Sequence, residues 1–211
     1  MVDIVEPHAE EYMRTLLERH DDPVLLEMER VAAERNFPIV NRIVGVTLET
    51  LARSIGARRV FELGSGYGYS AYWFARAVGP NGEVYLTDGD PENEKEALHY
   101  LGRAGLVERV RFRVGDAISS FEDVEGEFDV VYSDIDKEGY PDAWRAARDR
   151  IRVGGFYLCD NVLWSGRVAE PDPDETTRAI LEHNSMIAAD ERYLSVIVPT
   201  RDGVMTALRV S

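Results

Sequence analysis

Residues 62–70 read Glu-Leu-Gly-Ser-Gly-Tyr-Gly-Tyr-Ser, and this stretch decides the fold. It closes an apolar run at 58–63 and opens a segment of helical periodicity at 70–79. A glycine-rich turn between a strand and a helix is typical of a cofactor site in an α/β sheet. The nicotinamide fingerprint Gly-x-Gly-x-x-Gly is not met, because Tyr69 replaces the third glycine. Glycines at every second position let the backbone approach a bulky nucleoside closely, so the turn favours a nucleoside cofactor that needs no pyrophosphate-binding loop. The alternative is a tight turn that serves packing only.

Short apolar runs and amphipathic segments alternate downstream of this turn. The predicted strands are 58–63, 83–88, 109–114, 128–134 and 154–160, and the predicted helices are 70–79, 91–104 and 139–152. Such alternation predicts repeated βαβ units and a parallel sheet with helices on both faces. A helix near 174–189 then precedes two strands, 193–199 and 203–210. Because their connection is short, these last two strands are expected to be antiparallel.

The first part of the chain lacks strand signals. Helical periodicity covers roughly 7–19, 23–36 and 43–56. We therefore predict one α/β domain over 1–211, with N-terminal helices in 1–56 and a Rossmann-like core in 57–211. The predicted sheet is mostly parallel and seven-stranded, with a C-terminal antiparallel pair.

Composition limits the possible partners. The formal net charge of −15 opposes binding to nucleic acids and anionic membranes, because such binding depends on basic residues that neutralise phosphates. An acidic N-terminus and the lack of an eighteen-residue apolar run predict a cytoplasmic protein that does not enter a membrane. The single cysteine, Cys159, lies in an apolar run and is predicted to be a core thiol. The four histidines fall outside the candidate loops and are predicted to be surface residues.

Two aspartates follow the second and third predicted strands. Asp88 lies about twenty residues after the glycines, where a carboxylate can accept hydrogen bonds from both ribose hydroxyls. A helix N-cap is the alternative reading, for which Asp90, directly before Pro91, is the better candidate. Asp116 suits contact with an adenine edge or an N-cap equally well.

Polar residues also end the fourth and fifth predicted strands, in SDIDK at 133–137 and CDN at 159–161. Adjacent strands lie about 4.8 Å apart, so the two tips can share a ligand. The carboxylates of Asp134 and Asp160 and the amide oxygen of Asn161 form a hard-oxygen set for Mg²⁺ or a similar cation. Loop acids and an ordinary turn are the alternatives. Of the 24 basic residues only Lys95 and Lys137 are lysines, and a lysine can give up a proton where an arginine cannot.

These motifs, ELGSGYGYS, LTDGDP, VGDA, DIDK and DNVLWSG in this order, resemble the cation-dependent O-methyltransferase family. That family includes catechol and caffeoyl-coenzyme A O-methyltransferases and many bacterial and archaeal relatives, and the resemblance covers roughly residues 37–210. It implies a Rossmann-like methyltransferase fold, S-adenosylmethionine as cofactor, and Mg²⁺ or another divalent cation such as Mn²⁺ or Ca²⁺. The chain departs from better-studied members in FPIVNRIVG at 37–45 and in a short loop at 165–175.

The resemblance also implies site residues. Asp134, Asp160 and Asn161 would bind the metal, and Lys137 would accept the proton. The residues that would face S-adenosylmethionine are Val40, Gly64, Gly66, Ser70, Asp88, Asp116, Ala117 and Asp134. By their positions, Trp164 and Tyr140 are candidates to wall an aromatic substrate, with a core role as the alternative.

The expected function is metal-dependent methyl transfer to a hydroxyl of a small catechol-like or phenolic substrate. A bound cation would lower the pKa of a coordinated hydroxyl, and a vicinal diol would fill two open positions. The first alternative is a transferase for 5-hydroxyuridine in tRNA, served by the basic strips at 109–113 and 145–152. The second is a cofactor-binding regulatory protein without turnover. The resemblance further implies a homodimer with N-terminal helices at its contact.

Overall fold

The computed structural model describes residues 5–211, apart from the side chain of His20. Its α-helices are α1 (Pro7–Thr15), α2 (Pro23–Arg35), α3 (Arg42–Ser54), α4 (Tyr69–Ala77), α5 (Pro91–Arg103), α6 (Ala117–Glu122), α7 (Tyr140–Ala147) and α8 (Glu175–Ala189). Its strands are β1 (Arg59–Leu63), β2 (Glu83–Asp88), β3 (Val110–Val114), β4 (Phe128–Ser133), β5 (Ile151–Cys159), β6 (Tyr193–Val198) and β7 (Val204–Arg209).

All seven strands lie in one sheet with the order β3-β2-β1-β4-β5-β7-β6. The first five strands are parallel, whereas β7 runs antiparallel to both β5 and β6. The strand order reverses between β1 and β4, where the chain turns from building one half of the sheet to building the other. In open α/β sheets, ligands bind outside the carboxyl ends of the strands at such a switch point.

The sheet is covered on both faces. On one face, the helices α3, α4 and α5 bury a cluster that includes Leu48, Trp73 and Leu101. On the other face, α6, α7 and α8 bury a cluster around Phe121 and Trp144. Burial on both faces explains why β1 and β4 read as nearly continuous apolar runs instead of alternating ones.

The predicted architecture is confirmed, with local differences. The helix predicted for 139–152 ends at Ala147, and β5 begins at Ile151, inside the range that was predicted to be helical. The ladder between β4 and β5 is irregular near Val130, and Gly154 adopts a positive φ of 78° there. The six-residue helix α6 was missed, since it is too short to show helical periodicity. None of the described helices is long and apolar enough to span a membrane.

The prediction that all histidines lie on the surface is wrong for His183. This side chain belongs to α8 and is fully buried, with its Nε2 3.1 Å from the hydroxyl of Tyr157 in β5 and its Nδ1 3.1 Å from Oδ1 of Asn184. Because the amide oxygen only accepts, Nδ1 carries the proton and Nε2 accepts from Tyr157. Cys159, in contrast, is fully buried as predicted.

Burial of His183 predicts a pH dependence of stability. Desolvation lowers the pKa of His183 to about 4, compared with ~6.5 in an unfolded chain. Between pH 4 and pH 6.5 the unfolded chain binds a proton at His183 and the folded chain does not. The stability that comes from burying neutral His183 is therefore complete above about pH 6.5 and is lost as the pH falls towards 4. The full loss corresponds to roughly 3 kcal/mol.

Urea unfolding of wild type, His183→Gln and His99→Gln between pH 4 and 7 measures this contribution. We expect His183→Gln to flatten the pH dependence of the unfolding free energy. His99→Gln, which changes an exposed histidine, should keep the wild-type slope. Parallel slopes for wild type and His183→Gln would contradict the assignment.

Candidate active site

A pocket of about 830 Å³ opens at the carboxyl ends of β1, β2, β4 and β5. Its volume lies in the range of sites for small molecules and cofactors, roughly 300–1,000 Å³. The predicted site residues that line it are Val40, Gly64, Gly66, Ser70, Asp88, Asp116, Ala117, Asp134, Lys137, Asn161 and Trp164. Asp160 and Tyr140 do not line it, and both are fully buried.

The glycines of the turn after β1 let neighbouring segments pack closely, and two of them also line the pocket. Gly64 has a φ of 79°, and a Cβ there would lie 2.6 Å from the carbonyl oxygen of Asp134. Gly68 has a φ of 90°, and its Cβ would lie 3.0 Å from the Cβ of Ala97. The packing reading of this turn is therefore confirmed, and the cofactor reading stays a prediction. Glycine is needed for packing at Gly64 and Gly68, and the same turn forms a wall of the pocket.

Asp88 is part of the pocket and not a helix cap. Its Oδ2 accepts from the backbone N–H of Gly66 at 3.0 Å, and its Oδ1 accepts from the Asp90 N–H and from Nδ2 of Asn93. The N-cap of α5 is Asp90, as the sequence predicts. Three N–H donors thus hold the Asp88 carboxylate in one orientation at the pocket wall, beside the glycine turn.

Asp116 is the N-cap of α6, whereas its contact with an adenine edge stays a prediction. Its Oδ1 accepts from the Ser119 N–H at 2.8 Å, which caps α6 and lowers the pKa of its carboxyl group. The residue also lines the pocket together with Ala117. The cap fixes this wall of the pocket.

Ser70 is paired with a residue that sequence reasoning did not single out. Its hydroxyl donates to Oε1 of Glu62, a fully buried carboxyl group whose Oε2 has no hydrogen-bond partner within residues 5–211. Burial raises the pKa of Glu62 to about 8. The sequence shows Glu62 only as the first residue of the glycine motif, and no spacing signal marks it as buried.

The ammonium group of Lys137 lies among the oxygens predicted to bind a cation. Its Nζ donates to Oδ1 of Asp134 at 3.3 Å, to Oδ1 of Asn161 at 3.1 Å and to the carbonyl of Ile135 at 3.2 Å. Its side chain is only 13% exposed. The tips of β4 and β5 therefore do converge, and they present oxygen atoms to a positive charge.

Asp160 lies behind these residues and outside the pocket lining. Its carboxylate is fully buried, and neither Oδ atom accepts a hydrogen bond from any residue that the structure describes. Burial and the nearby charge of Asp134 raise the pKa of Asp160 to about 7. Buried ionisable groups without partners are costly, so a fully buried carboxyl group of this kind needs an explanation.

The residues present fit a divalent cation. Two carboxylates and one amide oxygen are hard donors, the two buried carboxylate oxygens of Asp160 accept no hydrogen bond from the described residues, and the Lys137 ammonium contacts the other two donors. Over the described part of the chain, no three His, Cys, Asp or Glu side chains form a metal cluster. A zinc site of such residues is therefore not favoured, and any cation would depend on Asn161 as its third ligand.

The two aromatic candidates differ. Trp164 lines the pocket and has its ring 5.9 Å from Nζ of Lys137. The prediction for Tyr140 is wrong, because its side chain is fully buried and its hydroxyl donates to the carbonyl of Asp160 at 2.7 Å. Tyr140 thus supports the loop after β5 from below and does not reach the pocket.

Arg201 was missed as a pocket residue. It lies in the turn between β6 and β7, and its Nη1 donates to the carbonyl of Ile39 at 2.7 Å. The same atom lies 3.9 Å from Oδ2 of Asp160. Sequence patterns show only a short hairpin here, and the approach to the pocket depends on the sheet order that places β7 beside β5.

This sheet order, with a pocket of ligand size at the carboxyl ends of its parallel strands, is that of a Rossmann-like α/β fold. A family model described as "O-methyltransferase" matches residues 15–210. The chain therefore belongs to the O-methyltransferase family.

Similar proteins agree with this assignment. Caffeoyl-CoA O-methyltransferase from Pinus taeda is 31% identical over 208 residues, covering 91% of this chain and 80% of the relative. A crystal structure of a methyltransferase from Geobacter sulfurreducens has a TM-score of 0.86 and 29% identity, covering all of both chains. An O-methyltransferase from Bacillus cereus in complex with S-adenosylhomocysteine (SAH) has a TM-score of 0.83 and 27% identity, covering 92% of this chain and 96% of that one.

The chain is thus an S-adenosylmethionine-dependent O-methyltransferase of the caffeoyl-CoA O-methyltransferase type. This type fits the methylation of a phenolic hydroxyl.

The contact between Gly64 and Asp134 predicts a specific sensitivity of the fold. Gly64→Ala should cost roughly 2–5 kcal/mol of stability, because left-handed strain of about 1–2 kcal/mol adds to an overpacking cost of about 1–3 kcal/mol. Gly56→Ala is the matched control, since Gly56 has a φ of 62° with none of the described atoms within 4 Å of its added Cβ. Urea unfolding should show a larger loss for Gly64→Ala, and equal losses would refute a packing role for Gly64.

Proposed function

We propose that this enzyme transfers a methyl group from S-adenosylmethionine to a hydroxyl of a catechol-like substrate in a reaction that needs a divalent cation. The observation that carries the proposal is the buried carboxylate of Asp160, which accepts no hydrogen bond from the described residues, beside Asp134 and Asn161. Arg201 is 3.9 Å away, and a cation in direct contact with these oxygens would compensate the buried charge more fully. Mg²⁺ suits hard oxygen donors, and Mn²⁺ or Ca²⁺ is an alternative.

The reaction needs an oxyanion at the attacking hydroxyl. A phenol with a pKa of ~10 is mostly protonated at neutral pH. A divalent cation, when bound, lowers the pKa of a hydroxyl that it contacts and orients that oxygen. Asp134, Asp160 and Asn161 would hold the cation, with Asp134 also next to the cofactor turn through its contact with Gly64.

Lys137 is the proposed proton acceptor. It is one of only two lysines in the chain, and its Nζ lies beside Asp134 and Asn161 in the pocket. In its neutral form a lysine amine can take a proton from a hydroxyl, whereas an arginine cannot serve in this way. The aromatic ring of Trp164 would wall the substrate ring on this side of the pocket.

The proposed contacts to S-adenosylmethionine follow the pocket lining. Asp88, held by three N–H donors, would accept from the ribose hydroxyls, and Asp116 with Ala117 would face the adenine. Ser70 would also face the cofactor, and Asp134 would touch its methionyl end. Val40, Gly64 and Gly66 complete the proposed set.

The tRNA alternative receives less support. In the strip 145–152, three of the arginines pair with acids, which reduces the free positive charge available to phosphates. These pairs join Arg145 to Asp142 and Glu182, Arg148 to Asp149 and Asp190, and Arg152 to Asp129. A regulatory protein without turnover is disfavoured, because Asp134, Asn161 and Lys137 line one pocket and Asp160 lies directly behind them.

The homodimer stays a prediction. Exposed apolar side chains occur on the N-terminal helical segment, where Tyr12 is 65% and Leu16 is 56% exposed. Others lie on the edge strand β6, where Leu194 is 69% and Val196 is 60% exposed. Such surfaces are compatible with association of two copies.

Removal of the proposed base tests the role of Lys137. Lys137→Ala should reduce turnover of a catechol by ~10² or more, with SAH affinity in calorimetry within about threefold of wild type. Lys137→Arg should fail similarly, because it keeps the charge without the base. Lys95→Ala is the control, since Lys95 is exposed and paired with Glu92. Near-normal turnover of Lys137→Ala would remove Lys137 from the mechanism.

Removal of the metal or of one ligand tests the cation site. EDTA should abolish methylation by wild type, and added Mg²⁺ should restore it. Asp160→Asn should bind Mn²⁺ at least ~100-fold more weakly in calorimetry, and it should fold, because an amide costs less to bury than a carboxylate.

Asp136→Asn, a change to an exposed pocket acid outside the ligand set, is the control and should keep Mn²⁺ affinity. The substrates for the activity assay are catechols, hydroxycinnamoyl thioesters, flavonoids and bulk tRNA, each with and without EDTA. Full activity in EDTA would refute the metal mechanism, and methylation of tRNA alone would replace the proposed substrate class.

A further inference from the structure

Arg201 occupies an unusual position for an arginine. It lies in the left-handed region with a φ of 51°, a conformation that costs about 1–2 kcal/mol for a residue with a Cβ. A glycine would fit this turn without strain. The strained backbone therefore indicates that the Arg201 side chain has a role that glycine could not fill.

The turn that carries Arg201 is fixed against the loop after β5. The N–H of Val162 donates to the carbonyl of Gly203 at 3.1 Å, and the N–H of Leu163 donates to the carbonyl of Asp202 at 2.9 Å. The Asp202 carboxylate also accepts from the Ser165 N–H. These bonds tie the Arg201 backbone to the same loop that carries Asn161 and Trp164.

The guanidinium group has unused donor capacity. One N–H bonds to the Ile39 carbonyl at 2.7 Å, and no closer ion pair than Asp160 at 3.9 Å is found for Arg201 in the described structure. The side chain is 37% exposed. An arginine carries five N–H donors, so most of its edge remains available to a ligand.

Arg201 lies where two cavities meet. It lines the main pocket with Lys137 and Trp164, and it also lines a neighbouring pocket of about 620 Å³ with Phe37 and Ile39. A substituent that extends from a ring at Trp164 towards the second pocket would reach this guanidinium.

We propose that Arg201 binds a carboxylate substituent of the substrate, so that the preferred acceptor is a catechol that carries an acidic side chain. This proposal rests on the proposed function, because it assumes a catechol ring at Trp164 and Asn161. A carboxylate pairs with one guanidinium through two parallel N–H···O bonds, which orients the ring as well as binding it.

A carboxylate fits better than a polyphosphate chain. Lys137 and Arg201 are the cationic residues among those that line the main pocket, and Lys137 already donates to three oxygens. Four aspartates line the same pocket, namely Asp88, Asp116, Asp134 and Asp136. With a net charge of −15 on the protein, several phosphates would meet repulsion, whereas one carboxylate needs only Arg201.

The other arginines near the pocket mouth are already paired. Arg42 bonds to Glu29 and Asp21, and its side chain is 11% exposed. Arg167 pairs with Asp174 and does not line the main pocket. These contacts single out Arg201 as the anion-binding residue.

The experiment compares kcat/KM for 3,4-dihydroxybenzoate and 3,4-dihydroxycinnamate with those for their methyl esters, and includes caffeoyl-CoA. Wild type should favour at least one acid over its ester by about tenfold or more. Arg201→Gln should reduce that ratio to near one, mainly through KM, and Arg201→Lys should keep part of it. Arg167→Gln is the control and should keep the wild-type ratio.

A role of Arg201 in balancing Asp160 alone would lower activity for acid and ester equally, so an unchanged ratio in Arg201→Gln overturns the proposal. A larger loss for caffeoyl-CoA than for the acids also overturns it, in favour of phosphate recognition. SAH calorimetry on each variant confirms folding. If wild type methylates no catechol in any form, the proposed function itself fails, which is a different result from equal use of acid and ester.

Discussion

The buried carboxylate of Asp160 is the constraint on which the site depends. It lies next to Asp134 at the ends of two neighbouring strands, with no hydrogen bond to either of its oxygens from the described residues. Desolvation and like-charge repulsion both oppose its ionised form, so its pKa is raised to about 7. A group of this kind lowers stability unless a positive charge accompanies it, and replacement by apolar residues is often stabilising elsewhere. Arg201 lies 3.9 Å from its Oδ2, and we propose that a bound cation supplies the closer positive charge.

The sheet topology brings the two halves of the reaction together. The glycine turn after β1 and the loop after β4 are neighbours because β1 pairs with β4. Gly64 packs against the carbonyl of Asp134, and the Asp134 N–H donates to the Leu63 carbonyl at 2.9 Å. The cofactor wall and the proposed metal loop are thereby held as one rigid unit. Methyl transfer needs such a fixed relation, because misplacement by about 1 Å costs orders of magnitude in rate.

Sequence patterns predicted the features that depend on neighbouring residues in the chain, namely the strands and the polar residues at their ends. Apolar runs indicated β1 to β7, and motif order indicated the ends of β4 and β5 where Asp134 and Asn161 meet. Features that depend on tertiary packing were not predictable. Burial of His183 and Tyr140 depends on how α7 and α8 cover the sheet, and an isolated histidine or tyrosine carries no such signal. Arg201 reaches the pocket only because β7 inserts between β5 and β6.

The most direct test is a crystal structure of the enzyme with SAH and Mn²⁺, with anomalous diffraction used to locate the metal. The account predicts one anomalous peak within coordination distance of oxygens from Asp134, Asp160 and Asn161, with Lys137 displaced from its present contacts to Asp134 and Asn161. A map without a peak there, in which Lys137 keeps both contacts and Asp160 remains without a partner, would contradict it.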